Sequence, residues 1–148
     1  MMRTFLPPAW LFAAILLMAV LHLLLPLSTI VPFPWNLAGL APLAAVIILN
    51  LLADAALKRG NTTVKPFEES ATLVTTGVYG LSRHPMYLGM LLILLGLAIF
   101  AGSLAPFAIV VLFGIFMERL FIRNEERMLA RQFGNAWQAY RGKVNKWV

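Results

Sequence analysis

The hydrophobic positions of this chain fall into four long apolar runs that are separated by short polar stretches. The runs cover about residues 8–25, 37–57, 86–100 and 104–122. A helix needs roughly 20 apolar residues to cross the hydrocarbon core of a bilayer, so the pattern predicts four transmembrane helices. The third run is shorter than this, and we expect its helix to begin in the membrane interface.

The polar stretches between the runs organise the rest of the chain. Residues 1–57 hold the first two helices, and residues 58–85 are predicted to form a cytoplasmic loop. The segment between the third and fourth runs is too short for a loop, so residues 86–122 should form a tight antiparallel hairpin. Beyond it, apolar residues recur near i, i+4 and i+7 with charged residues between them. Residues 123–148 are therefore predicted to form an amphipathic cytoplasmic C-terminal helix that lies along the membrane surface or folds back over the cytoplasmic loop.

Composition supports an all-α integral membrane protein with a single domain over residues 1–148. The chain is 61% hydrophobic and 12% charged, whereas soluble domains carry about 25% charged residues. No small-x-small cleavage site follows the first run, which we interpret as a membrane helix and not as a signal peptide. The absence of cysteine excludes disulfides and thiolate ligands. With only His22 and His84 as histidines, far apart in sequence, no metal site is predicted.

The distribution of the basic residues predicts the topology. The links at residues 27–36 and 101–103 contain no Lys or Arg. With four spans, every basic residue of the chain falls on the other side of the membrane, which the positive-inside rule makes cytoplasmic. Both termini are therefore predicted to be cytoplasmic. The net charge of +6 reflects this topology and not a nucleic-acid footprint, so we expect no nucleic-acid partner. The sequence leaves the oligomeric state open.

Directly before the third run stands the segment Gly77-Val-Tyr-Gly-Leu-Ser-Arg-His-Pro-Met-Tyr87. Arg and His are costly in a bilayer and rare there unless they serve a pathway or a site. On a helix that starts near His84, the side chains of His84 and Tyr87 share a face, and Pro85 suits the first turn. A helix N-terminus also favours a bound carboxylate. The alternative is a basic interfacial anchor with tyrosines in an aromatic belt.

A second charged group lies at the end of the fourth run, from Glu118 to Arg127. Glu125 precedes the apolar Leu129 by one turn, and we expect it to face inward. Glu126 and Arg127 fit a solvated helix with salt bridges worth a few tenths of a kcal/mol each.

Two polar residues lie in the first two runs. Asp54 is expected to pair with Lys58 at i, i+4. His22 is interpreted as a packing residue with one hydrogen bond.

Several short motifs occur together between about residues 71 and 147. They are Leu73-Val74, Gly77-Val-Tyr79, Arg83-His-Pro-Met-Tyr87 with Gly89, Glu125-Glu126, Leu129, Phe133-Gly134 and Tyr140. With this set the sequence resembles the isoprenylcysteine carboxyl methyltransferase family and its phospholipid N-methyltransferase relatives. The resemblance implies a membrane enzyme that binds S-adenosylmethionine on the cytoplasmic side and methylates a lipophilic or lipidated substrate.

The same resemblance implies which residues form the site. The cofactor pocket would be lined by a strand-like segment over residues 71–74, by the motifs that contain Tyr79 and residues 83–87, and by the acidic pair Glu125-Glu126. Beyond what the resemblance implies, Tyr87, Arg119 and Arg123 are the expected catalytic residues, and Arg119 or Arg123 is expected to steer an acidic or phosphate head group. The expected cofactor-binding residues are Ala71, Thr72, Leu73, Val74, Tyr79, Arg83, His84, Pro85, Met86, Tyr87, Glu125 and Glu126.

Two departures from the family pattern leave the methyl acceptor open between a prenylcysteine-like carboxylate and a lipid head group. Phe121 stands where the carboxyl methyltransferases carry a substrate-binding arginine, and Trp137 replaces the first of two tyrosines. Gly134, Trp137 and Tyr140 are also similar to the C-terminal end of the sterol reductases, so an NADPH-dependent reductase is one alternative. A non-enzymatic scaffold or transport subunit is the other.

Overall fold

The computed structural model of the chain describes residues 6–25, 27–61 and 72–148. Within these residues all regular secondary structure is helical, beside one isolated bridge between Thr29 and Ser103. The predicted all-α class is therefore confirmed. The helices are α1 (Pro7–Leu24), α2 (Leu40–Arg59), α3 (Pro85–Ala101), α4 (Leu104–Met117) and α5 (Arg123–Lys143). Single turns of 3₁₀ helix occur at Trp35–Gly39 and Gly77–Gly80, and one turn of π helix at Glu118–Ile122.

Three helical segments of the described residues are long and apolar enough to cross a membrane. They are Pro7–Leu24, Trp35–Arg59 and Leu104–Lys143, and an 18-residue window in each has a mean hydropathy of 2.0, 2.1 and 2.0, respectively. In the third segment, only the part before α5 is apolar, because charged residues are frequent within α5. Helix α3 is apolar but has 17 residues, or about 26 Å at 1.5 Å per residue. A multi-pass membrane protein is thus supported, and the crossing by α3 stays a prediction.

The chain divides into two compact units. The first, which we call the apolar unit, comprises Met1–Val46 and Met90–Met117. The second, the polar unit, comprises Ile47–Gly89 and Glu118–Val148. The boundaries between the units fall within α2, after Val46, and within α3, after Gly89. The assignment of a single domain stays a prediction.

In the apolar unit, α1 packs against α4. The rings of Trp10 and Phe116 lie 4.8 Å apart between their centroids. Only Gly102 and Ser103 separate α3 from α4, as the tight hairpin requires. Large apolar side chains on the outer faces of these helices are exposed, which suits contact with lipid. They include Phe12, Leu16, Leu23, Val111 and Leu112.

In the polar unit, the chain after α2 returns against the end of that helix. Val74 lies so close to Gly60 that a methyl group on this glycine would come within 2.7 Å of Val74 Cγ2. Residues 72–76 form no strand, so the strand-like expectation for this segment was wrong. Helix α5 is kinked at Gly134, whose φ of 48° lies in the left-handed region that glycine adopts at little cost. Trp137 and Tyr140, on the last part of α5, are buried.

Candidate functional site

The two charged motifs of the sequence meet in the polar unit. Tyr87 Oη donates a hydrogen bond to Glu125 Oε2 at 3.0 Å. His84 Nε2 lies 3.4 Å from Glu126 Oε1, and Arg83 Nη2 lies 3.2 Å from the same oxygen. Because a carboxylate only accepts hydrogen bonds, His84 Nε2 must carry the proton in this contact. His84 Nδ1 is 4.0 Å from Glu125 Oε2, so the imidazole faces both carboxylates.

Arg83 is the most unusual member of this cluster, since its charged side chain is only 7% exposed. Its guanidinium stacks over the ring of Trp137, with Cζ 5.6 Å from the centroid, a distance at which cation–π attraction operates. Nε and Nη1 are buried without a hydrogen-bond partner among the described residues. Buried donors of this kind are costly unless an acceptor reaches them.

The start of α3 is fixed by Ser82. The His84 N–H donates to Ser82 Oγ at 3.2 Å, while Pro85 opens the helix, where its missing N–H costs nothing. The first helical bond runs from the Leu88 N–H to the His84 carbonyl at 3.0 Å. Ser82 is 2% exposed and His84 3%. The position of His84 is therefore fixed by the backbone hydrogen bond to Ser82 as well as by the contacts of its ring with Glu125 and Glu126.

Tyr79 lies on the 3₁₀ turn before this site and is half-buried. Its carbonyl accepts a hydrogen bond from Tyr140 Oη at 2.6 Å, which ties the turn to the last part of α5. Burial raises the pKa of the Tyr79 phenol well above its ordinary value, and the negative charge of Glu125 adds to the effect. The phenol therefore stays neutral at physiological pH and can serve as an aromatic wall or hydrogen-bond donor, not as a base.

The sequence suggested that Glu126 lies on a solvated face of α5, but in the structure most of its side chain is buried within the polar unit. Its side chain is 13% exposed. Burial alone would raise the pKa of this carboxyl, but the hydrogen bond from His84 and the charges of Arg83, His84 and Lys146 outweigh it and lower the pKa. Glu126 is thus an anion held by several cationic partners. A solvated position was expected for both Glu126 and Arg127, and only Arg127 is exposed.

The C-terminal tail, residues 144–148, supplies contacts that sequence reasoning missed. The Arg83 N–H donates to the Asn145 carbonyl at 3.1 Å, and Ser82 Oγ donates to the Lys146 carbonyl at 3.1 Å. The tail therefore lies alongside the segment that leads into α3. No periodic pattern predicts this, because the tail follows the end of α5.

Lys146 of the tail forms ion pairs with two glutamates of the polar unit. Its Nζ donates to Glu118 Oε1 at 2.6 Å and lies 3.7 Å from Glu126 Oε2. Glu118 Oε1 also faces Arg123 Nε at 3.6 Å. Glu118 begins the π turn that precedes α5, and π turns of this kind are frequent at functional sites. One network of ion pairs thus joins the π turn, α5 and the tail.

Replacement of Lys146 by alanine should loosen the tail, because it removes the ion pair with Glu118. The hydrogen bond from the Arg83 N–H to Asn145 should then open more often, and we expect hydrogen exchange at this amide to rise about fivefold, as expected for the loss of a partly exposed ion pair. Lys143→Ala, at an exposed position near the end of α5, is the matched control. Equal exchange rates in the two variants would contradict the role given to Lys146.

Among residues 72–148, the other predicted site residues form no side-chain hydrogen bond or ion pair with Arg83, His84, Tyr87, Glu125 or Glu126. Thr72 is exposed, whereas Leu73, Val74 and Met86 are half-buried and Pro85 is buried. Arg119 is exposed, and Arg123 reaches the network only through Glu118. Ala71 lies outside the described residues.

The two departures from the family pattern have physical counterparts in the fold. Phe121 is 4% exposed, so this position contributes an apolar side chain to the interior. Trp137 is 1% exposed, and its ring stacks under the Arg83 guanidinium. The expected pair of Asp54 with Lys58 is found at 2.6 Å, on an exposed face.

Comparison with known proteins gives one family match and several partial relatives. Residues 35–136 match the model of a family described as phospholipid methyltransferase. Protein-S-isoprenylcysteine O-methyltransferase of Schizosaccharomyces pombe is 36% identical over 75 residues, which are 49% of this chain and 30% of that protein. The cobalt-zinc-cadmium resistance protein CzcN of Cupriavidus metallidurans is 47% identical over 62 residues, which are 42% of this chain and 29% of CzcN. The chain therefore matches less than a third of the length of these relatives.

Proposed function

The chain belongs to the phospholipid methyltransferase family, and from this premise we propose that it transfers a methyl group from S-adenosylmethionine to a lipophilic substrate in the membrane. The observation that carries the proposal is the meeting of the Arg83-His-Pro-Met-Tyr87 motif with Glu125 and Glu126 in one compact unit. Each motif alone is compatible with a surface role. Together they form a half-buried cluster that is arranged around both carboxylates.

The chemistry of this cluster fits the proposed cofactor. S-adenosylmethionine carries a carboxylate, an ammonium group and a sulfonium. Nε and Nη1 of Arg83, which have no hydrogen-bond partner among the described residues, suit the carboxylate or the ribose hydroxyls, because guanidinium donors favour oxygen acceptors. Glu125, with about a third of its side chain exposed, suits the ammonium. The tyrosine rings at positions 79 and 87 suit the sulfonium, whose attraction to an aromatic face is worth about 0.5–2 kcal/mol.

When bound, this cofactor supplies an electrophilic methyl group on a positively charged sulfur. The protein's part is then mainly to align donor and acceptor, since in-line displacement depends on orientation. Tyr87 is held by its hydrogen bond to Glu125, and His84 by Glu126 and Ser82. These residues fix the walls of the site before any ligand enters. Arg123 and Arg119 are the side chains that we expect to meet an acidic or phosphate group of the substrate.

The membrane setting explains why the substrate should be lipophilic. Three helical segments of the described residues are long and apolar enough to cross a membrane, which supports a substrate that resides in lipid. We propose that α3 completes a set of four spans and that both termini are cytoplasmic, because this topology alone puts all basic residues on one side. The acceptor is then either a prenylcysteine-like carboxylate or a lipid head group.

Cofactor binding tests the proposal directly. The purified protein in detergent should bind S-adenosylmethionine saturably in isothermal titration calorimetry. Glu125→Ala and His84→Ala should each weaken binding at least tenfold, or about 1.4 kcal/mol, because each removes a wall of the site. Asp54→Ala, which removes a carboxylate from an exposed ion pair, should bind as the wild type does.

Two outcomes would contradict the proposal. Unchanged affinity in both site variants would show that the cofactor binds elsewhere or not specifically. A rise in melting temperature with NADPH but not with S-adenosylmethionine would favour the reductase alternative. If the cofactor binds as expected, incubation with a radiolabelled methyl donor and a total lipid extract identifies the acceptor from the labelled product.

A further inference from the structure

The apolar unit contains a cavity of about 350 Å³ between α1, α3 and α4. This volume lies at the lower end of the range of about 300–1,000 Å³ that small-molecule sites occupy. Its walls are apolar side chains, among them Met18, Leu97 and Phe100, and one polar side chain, His22. The walls therefore suit a single hydrocarbon chain and not a charged molecule, because the described residues that line the cavity include no Asp, Glu, Lys or Arg.

His22 lines this cavity, and its imidazole contacts Ser103, which lies behind the lining residues. His22 Nδ1 and Ser103 Oγ are 2.7 Å apart, and Ser103 is only 2% exposed. The expectation of one hydrogen bond to His22 is thus confirmed. A single partner leaves the second ring nitrogen, Nε2, without a hydrogen bond to any residue that the structure describes.

The backbone around Ser103 is fixed on both sides. The carbonyl of Gly102 accepts hydrogen bonds from the N–H groups of Ile30 and Val31, at 2.8 and 3.0 Å. The N–H of Leu104 donates to the Ser28 carbonyl at 3.0 Å. The serine hydroxyl is therefore held in place, and with it the orientation of the imidazole. A site of this rigidity loses little entropy when a ligand binds.

The tautomers of His22 decide which ligand group fits Nε2. If Nδ1 accepts from the serine hydroxyl, Nε2 carries the proton and donates; if Nδ1 donates, Nε2 accepts. A hydroxyl group satisfies either state, because it both donates and accepts. A carbonyl fits only one of them, and a charged group would be buried without a countercharge at high cost.

We propose that this cavity binds a long-chain alcohol, with the hydrocarbon chain against the apolar walls and the hydroxyl at His22. The site lies wholly within the apolar unit, and none of its residues belongs to the cluster of Arg83, His84 and Glu126. The proposal therefore does not depend on the methyl transfer proposed above. It gives His22 a role as a ligand-binding residue and Ser103 a role in positioning the imidazole.

The two histidines of the chain make the test direct. Protein labelled with ¹⁵N-histidine is placed in phosphatidylcholine nanodiscs, and the ring signals of His22 are assigned by their loss in His22→Gln. Titration with 1-decanol should shift the His22 ring signals saturably, while decane at the same mole fraction should not. The ring signals of His84 should stay unchanged with both probes.

Variants that fill the cavity provide the control. Ala101→Phe and Ala19→Phe place a ring among the residues that line it, and each should raise the 1-decanol concentration at half-saturation at least tenfold. Leu112→Phe, at a position of α4 that is 60% exposed, should titrate like the wild type. Equal shifts with decane and 1-decanol, a shift that never saturates, or wild-type titration of both filled variants would each overturn the proposal.

Discussion

Replacement of Glu126 by alanine should destabilise the protein by about 3–5 kcal/mol, the usual cost of leaving a buried charge without its partner. Glu126 is the carboxylate that faces the Arg83 guanidinium at 3.2 Å, and the Arg83 side chain is 7% exposed. Without Glu126, the guanidinium keeps the stacking with Trp137 but loses its countercharge. His84 and Lys146 lose a partner as well. The free energy of unfolding, measured by reversible unfolding in mixed detergent micelles, checks this value.

The control for this prediction removes a carboxylate from an exposed pair. Asp54 faces Lys58 at 2.6 Å, but the two side chains are 38% and 75% exposed. Exposed pairs at i, i+4 contribute about 0.3–0.5 kcal/mol, so Asp54→Ala should change the stability by no more than this. Comparable losses in the two variants would show that the Arg83–Glu126 pair is not buried in the folded protein.

The pH dependence of stability gives a second check on Glu126. Its pKa in the folded protein lies below the ordinary value of 4.5, so the unfolded chain binds the proton more readily. Glu126 therefore stabilises the fold above pH 4.5, and this contribution is lost as the pH falls below that value. Glu126→Ala should lose this part of the acid dependence, whereas Asp54→Ala should keep it.

Replacement of Gly39 by alanine should destabilise the apolar unit by about 1–3 kcal/mol, the range for overpacking of a tight interior. The added methyl group would overlap the Gly96 carbonyl oxygen and lie 2.8 Å from the Phe100 backbone nitrogen. Both contacts are with the backbone of α3, which cannot move aside as a flexible side chain does. Small residues at such crossings are what allow helices in membranes to approach closely. Thermal unfolding in detergent measures the loss.

Gly114 on α4 provides the matched control. A methyl group there would lie 3.5 Å from Leu91 Cδ2, which is an ordinary van der Waals distance. Since alanine is the better helix former by about 1 kcal/mol, Gly114→Ala should be neutral or slightly stabilising. If Gly39→Ala were as stable as Gly114→Ala, the close approach of Gly39 to Gly96 would not exist in the membrane-embedded protein.

The elements of this protein could be predicted from its sequence because apolar runs and helix signals are local. The predicted helix at residues 8–25 corresponds to α1 (Pro7–Leu24), and the predicted third run at residues 86–100 corresponds to α3 (Pro85–Ala101). Pro85 marks a helix start that needs no tertiary information. The tight link before α4 followed from chain length alone. Motif spacing was likewise sufficient to select both halves of the candidate site.

The sequence by itself determined the helices, the hairpin link and the residue types of the site, since each depends on neighbours within a few positions. Only the tertiary structure decided which of these residues carry charge into the interior. Glu126 is buried by Arg83 and His84, which come from a segment 42 or 43 positions earlier, and Lys146 reaches Glu118 from a tail that follows no periodic pattern. The pairing of His22 with Ser103 joins residues 81 positions apart. Such contacts depend on how the helices pack, and no local pattern of polarity specifies them.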